Sequence, residues 1–290
     1  MKNIFGRFKN FFSDITEGIS ISILDTTETL KKGIFASAPT LFLNRFSEYD
    51  IRKFFSKSGM TSYLASRSFE KLVYKIFQDE SLVHHLEVYS NFEDTVNMLI
   101  DLRLSELKFS PENSTKTYDT FLIDWFMTRN PNSLKFKKSK PQLPGQKSPG
   151  LGLLNIMIKI MKLVSCASLN DGFINVPDHL HLALMYSRNF YFYDPKYEGM
   201  LRAVLRDLKN DGLYNISWAA VTNSIISNST CKPLQFSPSH QVYPVSDKMK
   251  KHFSSSYYTK ALKLAMKEHF YINYEKMNKE KKKIKDKVNA

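Results

Sequence analysis

The chain is short of several things, and each shortage excludes a class of protein. It has only two cysteines, Cys166 and Cys231, and no C-x-x-C pair. A disulfide framework is therefore excluded, and a reducing compartment is expected. Ten glycines and eleven prolines in 290 residues exclude collagen-like and low-complexity chains. No stretch reaches the roughly 18 uncharged apolar residues of a membrane span. The longest apolar stretch, 151–169, is interrupted by Lys159 and Lys162. Residues 1–12 lack the continuous apolar segment of a secretory signal, so a soluble, cytoplasmic protein is expected. Acids are scarce beside bases, 28 against 42, for a formal net charge of +14.

What is present is enough for a core. Hydrophobic residues make up 42% and aromatics 13%, which excludes wholesale disorder, because such a chain can bury enough surface to offset its conformational entropy. The length fits one large domain or two ordinary ones. The basic excess suggests an anionic partner: nucleic acid, a phosphorylated cofactor or an acidic membrane surface. A composition rich in Lys, Asn, Ile, Phe and Tyr together explains the excess equally well. Part of the charge is local. Residues 135–147 hold five lysines and no acid, and residues 275–290 hold seven lysines against three acids.

Periodicity divides the chain into a helical N-terminal extension over 1–45, an α/β core over 46–230, and a loop plus basic helical extension over 231–290. Ile4, Phe5, Phe8, Phe11, Phe12 and Ile15 fall at helical spacing, as a core-facing helix or a membrane-surface helix requires. Helices are predicted over 48–58, ended by Gly59, and over 66–78. Strands are predicted over 82–89, 98–109 and 120–128, as one antiparallel meander. A basic, Pro-containing loop follows, then a helix rich in Leu, Ile and Met over 151–169. The strand Gly172–Pro177, a helix over 181–188, a strand at 190–194 and an amphipathic helix over 198–208 come next, and a further helix is predicted over 257–271. The fold class is α/β (α+β), a mixed, mostly antiparallel sheet flanked by helices.

The segment Leu143–Gly152, LPGQKSPGLG, carries the most chemistry. It opens a helix, where unpaired backbone N–H groups and the positive end of the macrodipole favour an anion. Glycines there admit a phosphate or pyrophosphate close to the backbone, and Lys137, Lys138, Lys140 and Lys147 add charge. An ordinary Gly/Pro loop before a core helix is the plainer reading. The P-loop pattern G-x-x-x-x-G-K-[ST] is absent, and so is the third glycine of the dinucleotide fingerprint. His179, His181 and the adjoining Asp178, together with His84 and His85, offer a general base or structural histidines. No metal-ligand spacing occurs, so no metal is expected. No G-x-S-x-G occurs, and Cys166 reads as an inert core thiol.

In order, the elements and motifs over about 82–193 resemble the GNAT-type acyl-CoA N-acyltransferase superfamily. In that family a Q/R-x-x-G-x-G/A segment opens a helix and holds the pyrophosphate of acetyl-CoA. Lys147-Ser148-Pro149-Gly150-Leu151-Gly152 is similar to it, with Gln146 one residue earlier. The resemblance implies Gln146, Lys147, Gly150, Leu151 and Gly152 as cofactor-binding residues for acetyl-CoA or another acyl-CoA. The later segment VPDHLHLALMYSRNFYF is similar to the family's helix bearing a tyrosine. Tyr186 is the implied general acid for the departing thiolate. The match departs from the family in a spacing one residue shorter between Tyr186 and Phe190, in a longer glycine loop, and in Pro149, which removes an N–H donor.

The implied function is transfer of an acyl group from acyl-CoA to an amine, on a small molecule or a protein. The resemblance also implies two strands that splay apart beside the glycine-loop helix. Asp124 and Glu106 are the candidate bases. Asp124 lies in the apolar strand Thr120–Thr128, either buried with a raised pKa or facing solvent. The alternative function is a non-catalytic protein using its basic and aromatic surface on nucleic acid or a membrane.

Overall fold

A computed structural model describes residues 40–289 apart from 112–114, 134, 137–140 and 147. The expected helix over residues 4–15 lies outside the described residues, as do Lys137, Lys138, Lys140 and Lys147.

Helix α1 (Glu48–Ser58) starts where a capping box says it should: Ser47 accepts from Asp50 N and the Asp50 carboxylate accepts from Ser47 N. It ends at Gly59, whose φ of 82° is the left-handed conformation a helix C-terminus favours. Ile51, Phe54 and Phe55 form its buried stripe. A short helix, α2 (Met60–Ala65), follows.

Where a helix was expected over 66–78, the structure has a turn and then strand β1 (Leu72–Gln78). The apolar spacing fits both periods. The decision comes from outside the segment: β2 (His84–Ser90) pairs antiparallel with all seven residues of β1. Val73, Tyr74, Ile76 and Phe77 suit a pleated strand. Strands β3 (Met98–Phe109) and β4 (Tyr118–Thr128) complete the expected antiparallel meander.

After β4 come α3 (Leu154–Ser168), β5 (Gly172–Asn175), α4 (Leu180–Tyr186), β6 (Tyr191–Phe192), α5 (Pro195–Asp207), α6 (Gly212–Val221) and β7 (Ile225–Ser227). The chain ends with β8 (Gln241–Pro244), α7 (Asp247–Phe253), α8 (Ser256–Ala265), β9 (Phe270–Ile272) and α9 (Tyr274–Asn289). The protein is thus α/β, with a seven-stranded, mostly antiparallel mixed sheet in the order β1-β2-β3-β4-β5-β8-β6. Only β4 and β5 run parallel within it. Strand β8, from the segment after residue 231, enters between β5 and β6. The helix expected over 257–271 stops at Ala265. Its last residues instead form β9, where Phe270 and Ile272 are buried and pair with β7.

Register assigns the two faces. Tyr74, Val88, Ile100, Leu102, Leu104, Ile123, Phe121 and Phe173 share one face. Helix α1 covers part of it, with the Phe55 ring 5.3 Å from that of Tyr74, and α1 packs on α3. On the other face, Phe109, Tyr118, Ile174 and Val242 pack under Met249 of α7. Towards β1–β3 that face turns polar, with Lys75, His85, Glu87, Asp101 and Arg103 in neighbouring positions. A second core joins α4, α5 and α6 to the β7–β9 ribbon. Elsewhere α5 and α8 cross so closely at Gly199 that a Cβ would stand 2.6 Å from both Ala265 Cβ and Leu262 O.

Candidate functional site

Strand β4 and the elements around it carry most of the residues that the sequence offered as candidates. Pairing runs from Thr120–Gly172 to Leu122–Ile174 and then stops, although β4 continues to Thr128. A β-bulge lies just beyond that point. Arg103 opposes Trp125 and Leu104 opposes Ile123, so Asp124 is the extra residue on β4. A bulge bends its strand and increases the local twist; β5 itself ends at Asn175, so β4 runs on without it from Ile123. The bulge explains why Asp124 and Trp125 are both exposed instead of alternating. Of the two environments considered for Asp124, the solvent-facing one is found.

At the far end of β4 the glycine loop is docked by hydrogen bonds. Asn130 N donates to Pro149 O at 3.1 Å, and Leu151 N donates to Thr128 Oγ1 at 3.2 Å. Tyr63 from α2 donates to Leu151 O at 2.8 Å. Leu151 and Leu153 are buried and alternate with the exposed Gly150 and Gly152. Gly152 has φ +74°, which L-residues with a side chain rarely adopt; a Cβ at Gly150 would lie 3.1 Å from Thr128 Oγ1. Helix α3 then starts at Leu154 with no side-chain cap; Ile156 N and Met157 N both donate to Leu153 O at 2.9 Å. Of the implied binding residues, Leu151 commits its N–H to Thr128. Gln146 bonds within its own loop, accepting from Leu143 N and donating to Ser148 O, both at 3.2 Å. Lys147 lies outside the described residues.

Glu106 is on β3 opposite Phe121. It is exposed and held by Arg45 at 3.0 Å, and the Arg45 guanidinium lies 5.9 Å from the centre of the Phe121 ring. Tyr186 ends α4. Its ring stands 5.3 Å from Phe190, which stands 5.6 Å from Tyr243, the partner of Phe173 in β5. Burial pushes the phenol up to about 12, so it is protonated at neutral pH. No hydrogen bond engages that phenol among the described residues.

Two residues that the sequence did not single out complete the junction. Asn175, at the end of β5, and its cross-strand partner Gln241 are buried. Gln241 Nε2 donates to Ala183 O at 3.1 Å, which seats α4 over the sheet. Gln241 Oε1 and both amide atoms of Asn175 meet no partner among the described residues. A lone Asn at the end of a short apolar strand is the only sequence signal; Gln241 had none.

The other candidates are placed elsewhere. His179 and His181 are stacked with ring centres 5.5 Å apart and line a small pocket with Asp178, Asn223, Gln235 and Phe236. Burial and then the neighbouring His179 push His181 down to about 4. His84 Nδ1 accepts from Leu43 N at 3.1 Å, a structural role, and burial lowers its pKa. Cys166, expected in the core, is exposed on the outer side of α3; the helix buries Ile158, Met161 and Ser165 instead.

No protein-family model matches the chain, and no curated protein matches its sequence. Functional assignment therefore rests on the geometry of the junction. Among the described residues, no helix is long and apolar enough to cross a membrane.

Proposed function

We propose that the protein is a GNAT-like, CoA-dependent N-acyltransferase, with acyl-CoA entering at the β4–β5 junction. The observation that carries this reading is that β4 runs on past the end of β5, from Ile123 to Thr128, to where the exposed glycine loop is docked before an uncapped helix. A sheet zipped along the whole of β4 would have left no entry there.

The residues fit the group as follows. The exposed backbone at Gly150 and Gly152 and the N–H groups of Leu154 and Asn155, which precede the bonded donors of α3, suit a pyrophosphate. The free edge of β4 beyond Leu122 offers backbone donors that polarise a thioester carbonyl. An acceptor amine attacks that carbonyl carbon, and a base takes the amine proton. Asp124, exposed on the bulge, is the better placed base, because Glu106 is already paired with Arg45. As the C–S bond breaks, Tyr186 gives its proton to the thiolate. The same reading places the protein in the cytoplasm, where a reducing medium suits its two free, exposed cysteines.

Calorimetric titration with acetyl-CoA and longer acyl-CoAs tests the reading. Binding that is abolished in Gly152→Val is expected. Absence of binding at millimolar ligand, or equal binding in the variant, removes it.

A further inference from the structure

On the polar face of the sheet, away from the glycine loop, three ligand-type side chains converge. His85 and Glu87 are alternate residues of β2, and Asp101 is the cross-strand partner of Glu87 on β3. A ring nitrogen of His85 and one carboxylate oxygen from each acid all lie within 4.8 Å of one another. We propose that His85, Glu87 and Asp101 bind a divalent first-row metal ion.

Acids on a sheet face are common, so the case rests on the imidazole. His85 is 7% exposed, and the Phe77 ring stacks on it with centres 4.3 Å apart. Its Nε2 lies 3.0 Å from Asp79 Oδ2. Asp79 also accepts from Ser81 N and Val83 N. Asp79 therefore acts as an acceptor, and Nε2 is the donor to it. With the hydrogen on Nε2, Nδ1 offers a lone pair. Nδ1 is buried and meets no partner. His85 thus carries a buried ring nitrogen without a partner, in the same ring that joins the two carboxylates within 4.8 Å. The Asp79–His85 bond is the outer-shell arrangement that orients metal-ligating imidazoles.

Local charge agrees. In a chain of net +14, this face brings Asp79, Glu87, Glu93 and Asp101 together against Lys75 and Arg103. Lys75 is paired with Glu93. Arg103 holds Asp101 through Nε at 3.2 Å and Nη2 at 2.9 Å, and Tyr89 donates to Glu87. Each carboxylate retains lone pairs for a metal. One nitrogen and two oxygens suit Mn²⁺, Fe²⁺ or Zn²⁺, with the remaining positions open to water. The site is independent of the acyl-CoA reading.

The test uses the chelator-treated full chain, titrated with Zn²⁺ and Mn²⁺ by calorimetry. The ¹⁵N resonances of the histidine rings are followed with Zn²⁺. One ion per chain is expected, with the Nδ1 resonance of His85 moving most. Glu87→Gln and Asp79→Asn should each weaken binding at least about tenfold, whereas Glu93→Gln, on the same face, should leave it unchanged. Absence of binding at millimolar metal overturns the proposal. Equal affinity in Glu87→Gln, or shifts confined to His179 and His181, also overturns it. Should a variant fail to fold, the His85 resonance of the wild-type chain decides.

Discussion

Gly172 is the residue on which the β4–β5–β8 arrangement can be tested most directly. A Cβ built on it would stand 2.3 Å from Tyr243 O, a backbone atom, and 3.1 Å from Met249 Sδ. The methionine tip can move. The carbonyl cannot move without its strand, and it falls short of the 3.4 Å at which ordinary contact begins by about 1 Å. Parting β5 from β8 by that much stretches the bonds from Val245 N and Ser246 N to Asp171 O, now 2.9 and 3.0 Å, beyond hydrogen-bonding range. Two backbone bonds at about 1 kcal/mol each, with overpacking strain added, put Gly172→Ala at about 3 kcal/mol. In a chain of this size that lowers the melting temperature by about 6–12 °C. Gly145→Ala is the control. Its φ of +74° carries strain but nothing lies within 4 Å, so its loss should be about 1 kcal/mol. Urea unfolding of both variants measures the difference. If Gly172→Ala is no more destabilised than Gly145→Ala, the close approach of β5 and β8 is wrong, and with it the geometry of the junction.

Further expectations concern protons and the junction. Asp207 is held down at about 2 by Arg206, with help from Phe270 N. Its contribution is complete above the unfolded pKa near 3.8 and is lost as pH falls through 2. After allowance for screening it amounts to about 1–2 kcal/mol, so the stability difference between wild type and Asp207→Asn should vanish in acid unfolding curves near pH 2. His181 behaves with the same sign. Its pKa falls from 6.5 unfolded to about 4 folded, so stability present above pH 6.5 declines by up to about 3 kcal/mol as pH drops to 4. His181→Gln should flatten that slope, and a ring titrating near 6.5 by NMR would refute the assignment. Tyr186→Phe removes a phenol that bonds nothing among the described residues. Its melting temperature should match wild type, while acyl transfer slows at least about tenfold. An unchanged rate would take Tyr186 out of the mechanism. Gly199→Ala should destabilise by at least about 2 kcal/mol, because the obstructing atoms include backbone at Leu262; a neutral effect in urea unfolding would show that α5 and α8 are not in contact there.

Local chemistry in the sequence determined the capping box at Ser47, the stop at Gly59, the meander over 82–128, and the Leu-, Ile- and Met-rich helix after Gly152. Each rests on neighbours within a few residues, which is the range over which caps, turns and side-chain period act. The glycine loop was legible for the same reason, whereas Tyr186 was implied only by the family resemblance. The tertiary structure alone decided the rest. Residues 72–78 have an apolar spacing that serves helix and strand alike, and β2 made them a strand. Residues 270–272 read as the end of a helix until pairing with β7 drew them into a ribbon. The Asp124 bulge exists only as a mismatch of register with β3, so the exposure of that carboxylate had no local signal. The same holds for the Thr128–Leu151 bond, for the Asn175–Gln241 pair 66 positions apart in the chain, and for the meeting of His85, Glu87 and Asp101 across two strands. Alternation told which residues share a face of a strand. Which strands lie side by side, and where two of them part, is a property of the whole sheet.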